Sequence, residues 1–108
     1  YLGMTQAQAD ATGWRGTDEG GKLKEAGTTH WISPNTGATN SSGFTALPAG
    51  YRSTNGSFNY IGSLAYFWSS SASSSSNAWR RRLDASSSTV NRNSLNKAYG
   101  FSVRCLRD

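Results

Sequence analysis

Three consecutive arginines, Arg80, Arg81 and Arg82, stand between Trp79 and Leu83 in the stretch AWRRRLDASSSTVNRN, with Arg92 close behind. Guanidinium groups at that density suit an anionic partner, through forked hydrogen bonds to phosphate or carboxylate. Spacing divides them. On a strand every second side chain shares a face, so Trp79, Arg81 and Leu83 point one way and Arg80, Arg82 and Asp84 the other. Trp79 and Leu83 belong inside. Arg80, Arg82 and Asp84 are then expected as an exposed row of mixed sign, and Arg81 must reach a polar partner or lie at the edge of the core.

Catalytic and metal chemistry have little to work with. His30 is the single histidine and Cys105 the single cysteine, so no intrachain disulfide forms and a zinc site lacks its clustered ligands. A Ser/His/Asp triad would have to use His30, and no nucleophile elbow accompanies it. His30 is expected in a structural role beside Trp31, and Cys105 as a small buried hydrophobe. No catalytic residue, metal or cofactor is expected.

The elements that position these residues are short. The chain has 108 residues and 11.6 kDa, the size of one domain spanning residues 1–108. Aromatic residues make up 12% and charged ones 16%, which favours strands and turns over amphipathic helix and argues against a disordered chain. Residues 1–68 balance four basic against four acidic side chains, whereas residues 69–108 carry seven basic against two acidic, so the whole excess of +5 sits in the last third. That asymmetry fits an anionic partner or a face turned to water. No stretch approaches a membrane span of about 20 apolar residues. Thr5 or Asp10 is a plausible cap for a short helix in TQAQADATGW. GTDEGGKLKEAG, SPNTGATNSSG, LPAG and STNGS read as turns or loops. THWIS, GFTALPAGYR, LAYFWSSS, AWRRRLD and YGFSVRCLRD are strand candidates, the last with Phe101, Val103 and Cys105 on its buried side. SSSASSSSN lies between core-forming aromatics, so it reads as a tight connection between adjacent strands. DASSSTVNRNSLNKAYG reads as a long ordered loop or irregular strand.

GGKLKEAG, SGFTALPAGYR, GSFNYIGSLAYFWSSS, NAW and the terminal GFSVRCLRD together resemble the Fibrobacter succinogenes major paralogous domain family of bacterial extracellular domains, over residues 20–108. The resemblance implies an α+β, C-type-lectin-like fold with mostly antiparallel strands and long loops. It also implies that an N-terminal strand and helix are missing, because the family's W-x-x-P-T-x-x-E-W type segment is absent and Tyr1, Leu2 and Gly3 resemble the residues just after it. The sugar motifs of calcium-dependent lectins are not found: SPN at residues 33–35 lacks the carboxylate, and the last forty residues offer only Asp84 and Asp108 to a calcium ion. The paired cysteines of the related formylglycine-generating oxidases are also missing.

The stretch of residues 80–99 further resembles the variable proteins of diversity-generating retroelements, whose C-type-lectin-like domains display residues encoded by mutated asparagine codons. Such codons reach Ser, Thr, Arg, Asp, Ala, Tyr, Leu and Gly, but not Trp, Lys, Glu, Gln or Met. Trp79, Leu83, Val90 and Lys97 look constant, and Trp68, Trp79, Phe101 and Val103 are expected to be buried by the scaffold. The binding face this implies comprises Arg80, Arg82, Asp84, Ala85, Ser86, Ser88, Asn91, Asn93, Ser94, Leu95, Asn96, Ala98 and Tyr99. Arginine and tyrosine supply large contact area, asparagine and serine adaptable hydrogen bonds.

These features favour a non-enzymatic ligand-binding domain displaying a hypervariable surface: an adhesin, pilus tip or phage receptor-binding protein, extracellular, on the cell surface or on a phage tail. Its partner is then a protein or glycan on a target cell, with homo-oligomer, fibre or pilus assembly open. The alternative is a structural bacterial surface domain without a specific ligand. Nucleic acid is not expected, since alternation splits the arginine triplet and no groove-reading helix or RNA motif accompanies it.

Overall fold

The computed structural model describes residues 5–103. Its elements are α1 (Gln6–Asp10), β1 (Gly13–Arg15), α2 (Glu19–Leu23), β2 (Tyr51–Arg52), β3 (Phe58–Asn59), β4 (Leu64–Ala72), β5 (Asn77–Asp84) and β6 (Val90–Asn96). Four of the strands build one antiparallel sheet in the order β1-β6-β5-β4, and β2 and β3 form a separate small ribbon. The result is a small domain of mostly antiparallel strands with two short helices.

Local chemistry accounts for most of these elements. Thr5 caps α1 through a capping box, its hydroxyl accepting from the Gln8 amide at 3.1 Å while the Gln8 side chain accepts from the Thr5 amide at 3.0 Å. The serine run does form the connection between β4 and β5: the Ser74 hydroxyl accepts from the amides of Ser76 and Asn77, and the Ser73 and Ser74 amides donate to the Asn77 carbonyl. β6 is a regular strand, although its asparagine-rich pattern is equally compatible with a loop.

Several segments differ from expectation, among them GFTALPAGYR, which forms a strand only at Tyr51–Arg52. GGKL reads as a turn but lies within α2, because Gly20 and Gly21 press their backbones against the Thr89 and Gly37 carbonyls, where a Cβ would collide. Close approach outweighs poor helix propensity here. THWIS forms no strand; instead the Trp31 indole inserts into the core, 1% exposed, and donates to the Ala46 carbonyl at 2.9 Å. Residues 25–50 thus form an irregular layer, bridged at Ala46 to Lys24 and at Gly50 to Ala65.

The core lies between that layer and one face of the sheet, where Trp31, Ala46, Ala65, Leu83, Ala85 and Val90 are buried and Leu23, Phe44 and Phe67 pack around them. Lys24 is also wholly buried there. Its ammonium donates to the carbonyls of Thr36, Asp84 and Ser87, each at 2.9 Å, and lies 5.4 Å from the Trp31 ring centre. One cation thereby ties the irregular layer to the connection between β5 and β6.

Candidate functional site

Strand register decides which of the expected residues meet. Leu64, Tyr66 and Trp68 of β4 stand opposite Asp84, Arg82 and Arg80 of β5, and Arg82, Arg80 and Ala78 stand opposite Asn91, Asn93 and Leu95 of β6. Directly opposed residues share a face. Arg80, Arg82, Asp84, Asn91, Asn93 and Leu95 therefore occupy one face, joined by Trp14 of β1 opposite Asn91. Trp79, Arg81 and Leu83 take the other face, as alternation requires.

The expected exposed row is corrected at Arg80. Its side chain is buried, 6% exposed, with the guanidinium 5.1 Å from the Tyr66 ring centre and donating to the Asn91 side-chain oxygen at 2.5 Å. Asn91 is buried as well. Burial pulls the Arg80 pKa down, as do Arg82 and Arg81, with Tyr66 acting the other way. Aromatic rings on this face shelter what alternation alone assigns to water.

Those rings form a continuous layer. Tyr51 stacks on Tyr60 at 5.9 Å and meets Tyr66 edge-on at 5.1 Å; Phe101 stacks on Tyr66 at 4.8 Å and lies 4.3 Å from Trp68. Tyr99 reaches Tyr51 and Phe101, each at 5.9 Å. Burial raises the Tyr51 pKa, and the neighbouring tyrosines add to the shift.

At the edge of this layer a cleft of about 390 Å³ is lined by Tyr51, Tyr60, Ser63, Leu64, Tyr66, Arg82 and Asp84. Arg82 donates to Asp84 at 2.8 Å and extends over the Trp14 ring, 5.2 Å from its centre. The Asp84 carboxylate also accepts from the Ser86 amide at 2.9 Å and the Ser86 hydroxyl at 2.8 Å. Burial by itself would raise the Asp84 pKa, but these bonds from Ser86 and Arg82 outweigh it and hold the carboxyl below its ordinary value. The cleft thus offers flat aromatic walls and one ion pair, with hydrogen-bond donors beside acceptors. No group of three His, Cys, Asp or Glu able to hold a metal occurs among the described residues.

The remaining expected residues scatter. Ala85 is corrected to a core residue, 3% exposed, because the inward period of Leu83 continues one step beyond β5. Ser88 is half-buried, and its hydroxyl donates to the Thr17 carbonyl at 2.9 Å. Ser94 lies opposite Trp79 on the other face. Ser86 is exposed beside Asp84, whereas Asn96 and Ala98 are exposed at the far end of β6, where the Asn96 side chain accepts from the Ala98 amide.

Of the residues expected to form the scaffold, Leu83 and Val90 are buried, Trp68, Trp79 and Phe101 are half-buried, and Lys97 is exposed. Val103 is corrected to exposed, at 66%. The backbone of residues 100–102 pairs only through isolated bridges, Gly100 to Arg52 and Ser102 to Phe67, so strand alternation is not sustained to Val103. Cys105 lies outside the described residues. His30 is exposed, with Nδ1 2.9 Å from Glu25.

On the opposite face Arg92 stacks 3.8 Å from the Trp79 ring centre and donates to the Asp10 carbonyl at 2.5 Å. Arg15 donates to the carbonyls of Gln8, Ala9 and Val90. The two cations satisfy the carbonyl end of α1. Burial, then Arg81, Arg92 and Arg80, pull the Arg15 pKa down to about 10.

Sequence reasoning missed Tyr51, Tyr60 and Tyr66 as cleft walls. Their signal is the tyrosine in each of GYR, NYIG and AYFW, which pattern alone cannot tell from core material. Lys24 was missed too, since nothing local distinguishes it from Lys22.

Fold and cleft together define a small antiparallel-sheet domain with an aromatic cleft on one sheet face. The chain belongs to the Fibrobacter succinogenes major domain family, whose sequence model matches residues 1–107 and so carries the resemblance from residue 20 back to the first residue. Searches of the curated proteins and of the solved structures found no match. Among the described residues no helix is long and apolar enough to cross a membrane.

Proposed function

We propose that this chain is a non-enzymatic ligand-binding domain that recognises a protein or glycan on a target cell through the Arg82–Asp84 face of its sheet. One observation carries the reading: the register sets Arg82, Asp84, Asn93 and Leu95 on the same face as the aromatic cleft, with Tyr99 in the adjoining ring layer. Arginine, tyrosine and asparagine there combine rigid contact area with adaptable hydrogen bonding. The sheet below is held by its core, so these outward positions can change with little loss of stability.

The finer reading is a C-type-lectin-like domain displayed extracellularly, on a cell surface, pilus or phage tail, with the face diversified by a retroelement. The asparagine-type composition of residues 80–99 supports diversification. The burial of Arg80, Ala85 and Asn91 favours the second reading, an ordinary surface domain, at those three positions. The diversified set is accordingly narrower than composition suggests, centred on Arg82, Asp84, Ser86, Asn93, Leu95, Asn96, Ala98 and Tyr99.

The test is attachment to target cells after Arg82, Asn93 and Tyr99 are replaced together by alanine. Loss of attachment with an unchanged fold supports the face; unchanged attachment removes it. Sequencing the locus across a population tests diversification, which requires variation at the outward positions while Arg80, Ala85 and Asn91 stay fixed.

A further inference from the structure

We propose that the cleft walled by Tyr51, Tyr60 and Tyr66 and closed by the Arg82–Asp84 pair binds an uncharged saccharide, without a metal ion. The inference rests on the ligand-binding reading above and names the class of ligand.

Three features of the cleft select that class. Its aromatic wall is a set of rings that hold one another, Tyr51 stacking on Tyr60 at 5.9 Å and meeting Tyr66 at 5.1 Å; Tyr66 is buried against Phe101 and Arg80, and Tyr60 is the ring open to a ligand. Tyr60 is 59% exposed, yet its backbone is fixed: its carbonyl accepts from the amides of Ser63 and Leu64, each at 3.1 Å. An exposed aromatic held rigid offers contact area to a ligand at little entropic cost. The C–H face of a pyranose ring is flat and apolar enough to lie against it.

The second feature is the ion pair. Arg82 and Asp84 face each other at 2.8 Å and cancel in charge, so neither an anion nor a cation meets a net attraction from the cleft lining. The other cation of this face, Arg80, is buried and bonded to Asn91, and an anion would have to compete with Asp84 for Arg82. Both groups are already desolvated in part, with side chains 29% and 15% exposed. A ligand that bridges them meets donors and acceptors oriented in advance.

The third feature is the adjacency of donor and acceptor. The guanidinium donates only, and the carboxylate, kept ionised by Ser86 and Arg82, accepts only. A hydroxyl does both, so neighbouring sugar hydroxyls can accept from Arg82 and donate to Asp84 at once. The volume of about 390 Å³ falls at the lower end of the range for small-molecule sites and suits one or two sugar units. Metal plays no part in this recognition, because the polar contacts come from the ion pair itself.

The experiment titrates the whole chain, in the presence of a calcium chelator, with the methyl glycosides of glucose, galactose, mannose, fucose and N-acetylglucosamine, their common disaccharides, and two acidic sugars, glucuronic acid and sialic acid. The readout is the NMR shift of isotope-labelled tyrosine rings. Saturable shifts at Tyr51, Tyr60 and Tyr66 with a neutral sugar, at a Kd on the order of 1 mM, are expected. Tyr60→Ala and Asp84→Asn should each weaken binding about tenfold or more, and Tyr60→Phe by less than about threefold.

No tyrosine shift with any neutral sugar overturns the proposal, and so does tighter binding of the acidic sugars. Should Asp84→Asn unfold the chain, the exposed Tyr60 pair still decides. Loss of cell attachment in the Arg82, Asn93 and Tyr99 variant without any sugar binding would leave the binding face standing and assign it another ligand. Attachment that survives that variant would instead remove the binding-face reading.

Discussion

The two faces of β5 hold their cations in opposite ways. Toward the core, the Lys24 ammonium is enclosed by three carbonyls and an indole ring. On the other face Arg82 lines a solvent-reached cleft, paired with a carboxylate and lying near the Trp14 and Tyr66 rings. The first arrangement spends all its donors within the protein and leaves nothing for a ligand. The second keeps donors and acceptors at a surface that a ligand can enter. Lys24 ties segments of the fold together through its donors, and the partly exposed Arg82 is available for recognition.

The comparison breaks most readily at Lys24. Replacing it with methionine removes the donor from three buried carbonyls, and a loss of about 4 kcal/mol in urea unfolding is expected. A loss below about 1 kcal/mol would mean that the carbonyls find other donors and that the core does not depend on the cation.

Ala85 and Ser86 sharpen it next. Ala85→Leu forces three further carbons into a packed site at 3% exposure and should destabilise by about 2 kcal/mol. Ser86→Leu, on the exposed side, should stay within about 0.5 kcal/mol in stability, although it removes a bond to Asp84. Equal tolerance at both positions would restore Ala85 to the variable surface.

Arg80 and Arg82 make the same contrast within one strand. Arg80→Ala leaves buried Asn91 without its partner and exposes the space under Tyr66, for an expected loss of about 2 kcal/mol. Arg82→Ala breaks a partly exposed pair and should cost less than about 1 kcal/mol. Chemical denaturation of the two variants side by side measures the difference.

A further contrast lies in pH. Burial lowers the Lys24 pKa from 10.5 to about 8, against the pull of Asp84, so between those values the unfolded chain binds more protons than the native one. Stability contributed by Lys24 therefore rises as pH goes from about 8 to 10.5, and the rise should vanish in Lys24→Met. Comparing the two chains removes the opposing effect of Tyr51, whose raised pKa lowers stability in alkali. Asp84 acts at the other extreme: with its folded pKa lowered, it contributes stability above its ordinary 3.8 that is lost as pH falls below that value.

Local pattern reveals much of the strand architecture. The alternation in AWRRRLD correctly divides Arg80 and Arg82 from Arg81, the serine run between aromatics marks a hairpin, and Thr5 marks a helix start. Alternation tells which face a side chain takes, but not whether another element covers that face. Hence it assigns Arg80 to water although rings overlie this face, and Val103 to the core although no regular strand carries it there; Asn91, placed on the binding face by the resemblance, is buried beside Arg80. The glycines of α2 mislead for a related reason, since their value lies in contact with Thr89 and Gly37, remote in sequence.

By itself the sequence determined the β-rich class, the split of the arginines between two faces, and the family to which the chain belongs. Each is read from composition or from intervals of a few residues, which the covalent chain carries directly. Only the tertiary structure decided that Tyr51, Tyr60 and Tyr66 close a cleft with Arg82 and Asp84, and that Lys24 disappears into the core. Those groups are spread along the chain, and their meeting depends on the register of β4 with β5 and on how an irregular loop layer folds over the sheet. Long-range packing sets both, and no short interval of sequence records it.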